Sequence, residues 1–195
     1  INLNKDFVIK NLTTYITHSK NSESNTFNIV IEEGVIDNIK LAKSKINVIR
    51  KKNETEVKSQ INTSGKVNFK KIKKISSLFK FDFKGFKNID ALIALNTNIN
   101  FNINDNLNIK DLSYSVEGSI PYIEILHKDI ATIKNYLPDY NSKLVLKNSD
   151  IKFNNWELGS KAEISGFIEI DDHLDKIKIN QNYKKNKKTF EIIGS

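Results

Sequence analysis

The chain has no cysteine and no methionine, one arginine, two prolines, one tryptophan and seven glycines in 195 residues. Without cysteine there is no disulfide, no thiolate nucleophile and no cysteine-ligated zinc. Seven glycines leave little material for phosphate-cradling loops, and no nucleophile elbow, phosphate loop or dinucleotide fingerprint is present. The longest apolar run is Ala91-Leu92-Ile93-Ala94-Leu95, far short of the roughly 18–20 residues that cross a bilayer as a helix. A chain that opens Ile1-Asn2, without methionine, reads as processed or as an internal piece of something longer.

What is there is equally lopsided: 30 Ile, 27 Asn and 30 Lys. All three are encoded by AT-rich codons, so the excess reads first as genome composition. That discounts the net charge of +8 as a sign of nucleic-acid binding. Lysine clusters at Lys70–Lys74 and Lys184–Lys188 would suit an anionic surface. A single arginine, however, removes the bidentate contacts that read phosphate and guanine. The aromatics follow strand parity rather than interleaving with the lysines. Nucleic acid is therefore not expected as a partner; the lysines read as a solvated face, or as weakly attracted to anionic lipid headgroups.

Candidate chemistry is sparse. His18, His127 and His173 have no ligand-spaced neighbours. The stretch Asp171-Asp172-His173-Leu174-Asp175 lacks the glycine and closing glutamate of an EF-hand loop and reads as a solvated turn. Neither a metal nor a cofactor is expected, and no constellation points to an enzyme.

The dominant signal is period two. Asn96–Asn104 reads NTNINFNIN, with Thr97, Ile99, Phe101 and Ile103 on one side and asparagines on the other. Strict alternation of this kind marks a half-buried strand. The same rhythm runs through Phe27/Ile29/Ile31, Ile46/Val48, Val57/Ser59/Ile61/Thr63, Ile151/Phe153, Ile177/Ile179 and Phe190/Ile192. Two stretches break it. Lys70–Lys80 and Lys128–Leu137 carry apolar residues at spacings of three and four, which predicts two short amphipathic helices, the second closed by Pro138.

An internal repeat overlies the alternation. Ile61-x-Thr63-x-Gly65-x-Val67-x-Phe69, Tyr114-x-Val116-x-Gly118-x-Ile120-x-Tyr122 and Ala162-x-Ile164-x-Gly166-x-Ile168-x-Ile170 share one pattern, with glycine on the apolar parity. Glycine inside a strand marks a bulge, a bend or a close backbone approach. Self-similarity near 50 residues points to a repetitive array. The fold expected is mainly β: a long, curved, mostly antiparallel sheet with repeated strands forming a groove, plus the two helices. It is read as a single repetitive region over residues 1–195, a fragment of a longer chain, with approximate repeats at 57–88, 107–140 and 156–180.

The stretch Gly65–Ile125 combines a strand ending SGKVNF, a lysine-rich helix, Gly85 and long alternating strands that end in Leu107-x-Ile109-x-x-Leu112-x-Tyr114-x-Val116-x-Gly118-x-Ile120. Leu144–Ile179 has a similar cadence. This resembles the AsmA-like family of bacterial envelope proteins. The resemblance implies a sheet curled lengthwise into a groove with an apolar inner face, in a periplasmic protein anchored at the inner membrane through a region outside this chain. It implies phospholipid acyl chains as the partner, passed between inner and outer membrane, and no catalytic residues. The lipid-facing candidates are then Ile61, Val67 and Phe69; Ile99, Phe101 and Ile103; Tyr114, Val116 and Ile120; and Ile164, Ile168 and Ile170. A one-faced sheet can also bury its apolar side against a second sheet, so a closed β-sandwich serving as an adhesion or interaction module is the alternative.

Overall fold

The computed structural model describes residues 8–73, 85–128, 142–170, 173–184 and 187–194. Ten strands fill most of that length: β1 (Ile9–Lys20), β2 (Asn25–Ile36), β3 (Ile39–Arg50), β4 (Glu54–Asn68), β5 (Phe86–Asn104), β6 (Ile109–His127), β7 (Lys143–Trp156), β8 (Gly159–Ile170), β9 (His173–Lys184) and β10 (Lys187–Gly194). They form one sheet in chain order, β1 through β10, with every neighbouring pair antiparallel. The sheet does not close on itself, because β1 and β10 lie at opposite edges. At about 4.8 Å between strands it is roughly 43 Å wide, and the 19-residue strands β5 and β6 run about 60 Å.

Among the described residues there is one short helix, residues 69–73, rather than two. The remainder of the predicted helix Lys70–Lys80, and all of Lys128–Leu137 beyond Lys128, lie outside the described residues.

Asparagine makes the turns. Between β2 and β3 the two connecting residues, Asp37 and Asn38, both take left-handed backbone (φ 49° and 68°), the conformation of the tightest hairpin turns and one that Asp and Asn tolerate. Between β1 and β2 the Asn21 carboxamide oxygen accepts from the backbone N–H groups of Glu23 and Ser24 at 2.9 and 2.7 Å. Between β5 and β6 the Asn104 carboxamide oxygen accepts from the N–H groups of Asn106 and Asn108 at 3.1 and 2.9 Å. The excess asparagine thus supplies loop geometry as well as solvated surface.

Residues paired across antiparallel strands share a face, so rows of side chains can be followed across the sheet. One row runs Ile16, Ile29, Ile46, Ser59, Ile99, Tyr114, Asn155, Ser160, Tyr183, Lys188. On its face stand the isoleucines, valines and phenylalanines of nearly every strand. The opposite face carries most of the asparagines and most charges. It is laced by cross-strand bonds such as Asn47 Nδ2 to Asn28 Oδ1 (2.6 Å) and Asn96 Nδ2 to Asn62 Oδ1 (2.7 Å), and by the Lys147–Glu169 ion pair (2.5 Å).

A belt of irregular backbone crosses this sheet. Each even-numbered strand places a glycine in it: Gly34, Gly65, Gly118, Gly166 and Gly194. β1, β3 and β7 place a left-handed residue there, Asn11, Lys43 and Asn148, beside shifts in pairing register. In β3 and β7 the next residue is a serine, Ser44 or Ser149, only 0% and 1% exposed. Ser44 Oγ donates to the Ala42 carbonyl (3.3 Å) and accepts from the Asn62 N–H (2.9 Å). The hydroxyl thereby serves backbone groups that the bulge removes from the ladder.

Candidate functional site

Most of the sequence-derived candidates share one face of the sheet. Ile61 pairs through Thr97 to Val116, Ile99 pairs with Tyr114, and Val67 pairs through Ala91, Ile123 and Leu146 to Ile168. Phe101 and Ile103 continue the same parity along β5, facing Val57 and Thr55. Ile120 pairs with Ser149, Ile164 with Ile151, and Ile170 with His173. Phe69 departs from the expectation. It is not a strand position but the first residue of the helix, 9% exposed, with the Lys73 ammonium 4.2 Å from its ring centroid.

Burial on this face is graded along the strands. Val67, Ile89, Ala91 and Leu146 are buried, while Ile99, Phe101 and Ile103 farther along are half-buried. Aromatic contact supports the middle of the face: the Tyr114 and Phe153 rings lie 5.6 Å apart, tilted by 34°, as diagonal neighbours on adjacent strands. Partial burial raises the ionisation of the Tyr114 phenol above its ordinary range. Each described strand touches only its neighbours in sequence, so among the described strands no second sheet stands over the apolar face. The protein exposes 13806 Å², against about 9,400 Å² for a compact monomer of this mass.

A hollow of about 910 Å³ lies over the belt on the polar face. Its floor follows the paired row Ser64, Ala94, Ser119, Asp150, Ser165, Lys178, mostly small side chains, and Asn62, Asn96, Glu117, Lys152 and Glu163 border it. Of the twelve candidates only Ile164 borders this hollow. Sequence reasoning missed both the hollow and the belt. The signal was a slip in parity: the apolar positions step from Leu41 to Ser44 and from Leu146 to Ser149, by three rather than two.

Charge on the polar face is paired locally. Tyr122 Oη donates to Glu124 Oε2 at 2.8 Å, and Lys143 Nζ stands 3.0 Å from the same oxygen. Those two contacts hold the Glu124 carboxyl below its usual range. The carboxylate in turn pushes the Tyr122 phenol up to about 12. The contact therefore contributes stability below the ordinary phenol value of 10.0, and that contribution is lost as pH rises through the shifted value. In an alkaline difference titration of the parent against Tyr122→Phe, the phenol should ionise near 12. Glu124→Gln should bring it back towards 10.0. A phenol that ionises with the other tyrosines would show that the bond does not form in solution.

Among the described residues no group of His, Asp and Glu is arranged to hold a metal ion. Set against known proteins, the chain matches no protein-family model, no curated protein and no solved structure.

Proposed function

We propose that the apolar face of this sheet holds phospholipid acyl chains, as one segment of an AsmA-like bacterial envelope protein that passes lipid between the inner and outer membranes. On this reading the sheet curves into an open groove, sits in the periplasm, and is anchored through a region outside these residues. The observation that carries the reading is a single sheet whose isoleucines, valines and phenylalanines gather mainly on one face, with no second sheet of described strands against it. Such a face must be covered by something apolar, and each acyl CH₂ withdrawn from water there contributes roughly 0.8 kcal/mol. The hollow on the other face has the wrong chemistry for acyl chains, being bordered by Glu117, Asp150, Lys152 and Glu163.

The test is site-specific photocrosslinking in cells. Probes at Ile99, Phe101 and Ile103 should capture phospholipid, and probes at the outward neighbours Asn100 and Asn102 should not. Capture of protein alone at all five positions would end the lipid reading.

A further inference from the structure

We infer that a phospholipid lies lengthwise along these strands, its phosphate held by Arg50 and Lys20 at one end of the apolar face and its acyl chains directed towards the belt. The inference rests on the acyl-chain reading proposed above and adds where the headgroup sits. The chain has a single arginine among 31 lysine and arginine side chains. Strand lysines stand mostly on the polar face, as Lys45, Lys58, Lys147, Lys152 and Lys161 do. Arg50 stands on the apolar face, in its outermost row: Lys20, Asn25, Arg50, Thr55, Ile103, Ile109. Lys20 and Arg50 flank Asn25 on alternate strands, their backbones about 10 Å apart, a gap that two long side chains can close around one phosphate. Among the described residues neither cation has a carboxylate partner. Glu54 and Glu56 alternate with Thr55 and Val57, so they stand on the polar face, where Lys58 pairs with Glu56. Glu23 in the β1–β2 turn is outnumbered by Lys51 and Lys52 of the β3–β4 turn. One arginine is too few to track a nucleic-acid backbone, but its planar fork matches a single phosphate with two parallel hydrogen bonds.

Polarity falls away directly behind this row. The next row reads His18, Phe27, Val48, Val57, Phe101, with the His18 ring stacked on Phe27 at 4.6 Å between centroids. Behind it come Ile16, Ile29, Ile46, Ser59 and Ile99. From Ile103 to Leu95, which pairs with Gly118 in the belt, is about 27 Å at the rise of a strand. One leaflet of a bilayer holds its chains within about 15 Å, half the hydrocarbon core. A lipid anchored at Arg50 therefore has room for its chains on these rows before the belt. The other end of the face is the wrong one for a phosphate, because Asp175 stands on it, paired with Ile168.

The test compares phosphatidylglycerol with diacylglycerol of the same acyl chains, each offered to the purified protein in detergent. The parent should bind phosphatidylglycerol at least tenfold more tightly. Lys20→Gln/Arg50→Gln should remove that difference and leave diacylglycerol binding unchanged. Lys45→Gln/Lys58→Gln, which deletes two charges from the polar face, should keep it, and inorganic phosphate at millimolar concentration should not displace the lipid. A photoreactive group at the acyl terminus should label the row of Leu41, Thr63 and Leu95 rather than Phe27 and Phe101. Equal binding of both lipids by the parent overturns the headgroup site and leaves the acyl-chain reading standing; binding of neither overturns both. Equal loss in the two double variants, displacement by inorganic phosphate, or acyl-terminal labelling concentrated at Phe27 and Phe101 also overturns the site.

Discussion

Gly118→Val should lower the stability of the sheet by about 3–5 kcal/mol, the sum of backbone strain and overpacking. Gly118 sits at φ +146°, a conformation that side chains bearing a Cβ rarely adopt. A Cβ built there would lie 2.2 Å from the Ala94 carbonyl oxygen and 3.0 Å from Leu95 Cα. Both atoms belong to the backbone of β5, so no rotamer change relieves the clash. β6 must leave its ladder or change its backbone angles, and either course exposes apolar surface on both sides of the belt. Valine's preference for strands offers under 1 kcal/mol in return. Gly85 supplies the control, since a Cβ there meets nothing within 4 Å. Gly85→Ala should move the urea midpoint by less than the equivalent of about 0.5 kcal/mol. If Gly118→Val unfolds at the parent's midpoint, β5 and β6 separate at the belt without cost, and the belt is not a fixed feature of the sheet.

The contrast between these glycines shows how far the sequence could be read. Strand identity was legible because codon bias was sorted by position. Isoleucine filled one parity and asparagine the other, as in Asn96–Asn104, so the one-faced sheet could be read before any pairing was known. The glycines of three strands were legible as a recurrent feature. Their alignment into one belt was not, because it depends on the pairing register. Gly34 and Gly194 lie in strands without the repeated pattern and joined the belt only through their partners Leu41 and Ile177. The bulges were written as steps of three between positions of the apolar face, as from Leu146 to Ser149. A buried serine there looked like an ordinary polar residue until its place in the ladder was known. Phe69 was read as a strand position because it continued the parity of Val67. A helix beginning at that residue preserves the spacing for one step, and alternation alone cannot register the change.

Ile99→Asp should leave a folded sheet but reduce phospholipid retention by about 30-fold or more, as measured on protein purified from cells and extracted for lipid. Ile99 is half-buried near the middle of the apolar face, paired with Ser59 and Tyr114. With one side open among the described strands, the carboxylate can still reach water in the lipid-free protein, so the fold should lose only about 1–2 kcal/mol of side-chain burial. An acyl chain laid over that position removes the water. Taking an unpaired polar group out of water costs roughly 2 kcal/mol or more, and each 1.4 kcal/mol is a factor of ten in affinity. Asn98→Asp places the same charge one residue away on the opposite face, where Asn98 donates to Asn96 and Ser115, and should leave lipid retention unchanged. The two variants differ in the face that carries the charge and not in its sign or strand. Equal loss in both would trace the effect to net charge or to folding. Full retention in Ile99→Asp, with the fold intact, would place the lipid somewhere other than this face. A sheet that unfolds outright would show that the apolar face is already covered by protein, because only a dry environment makes one carboxylate so costly.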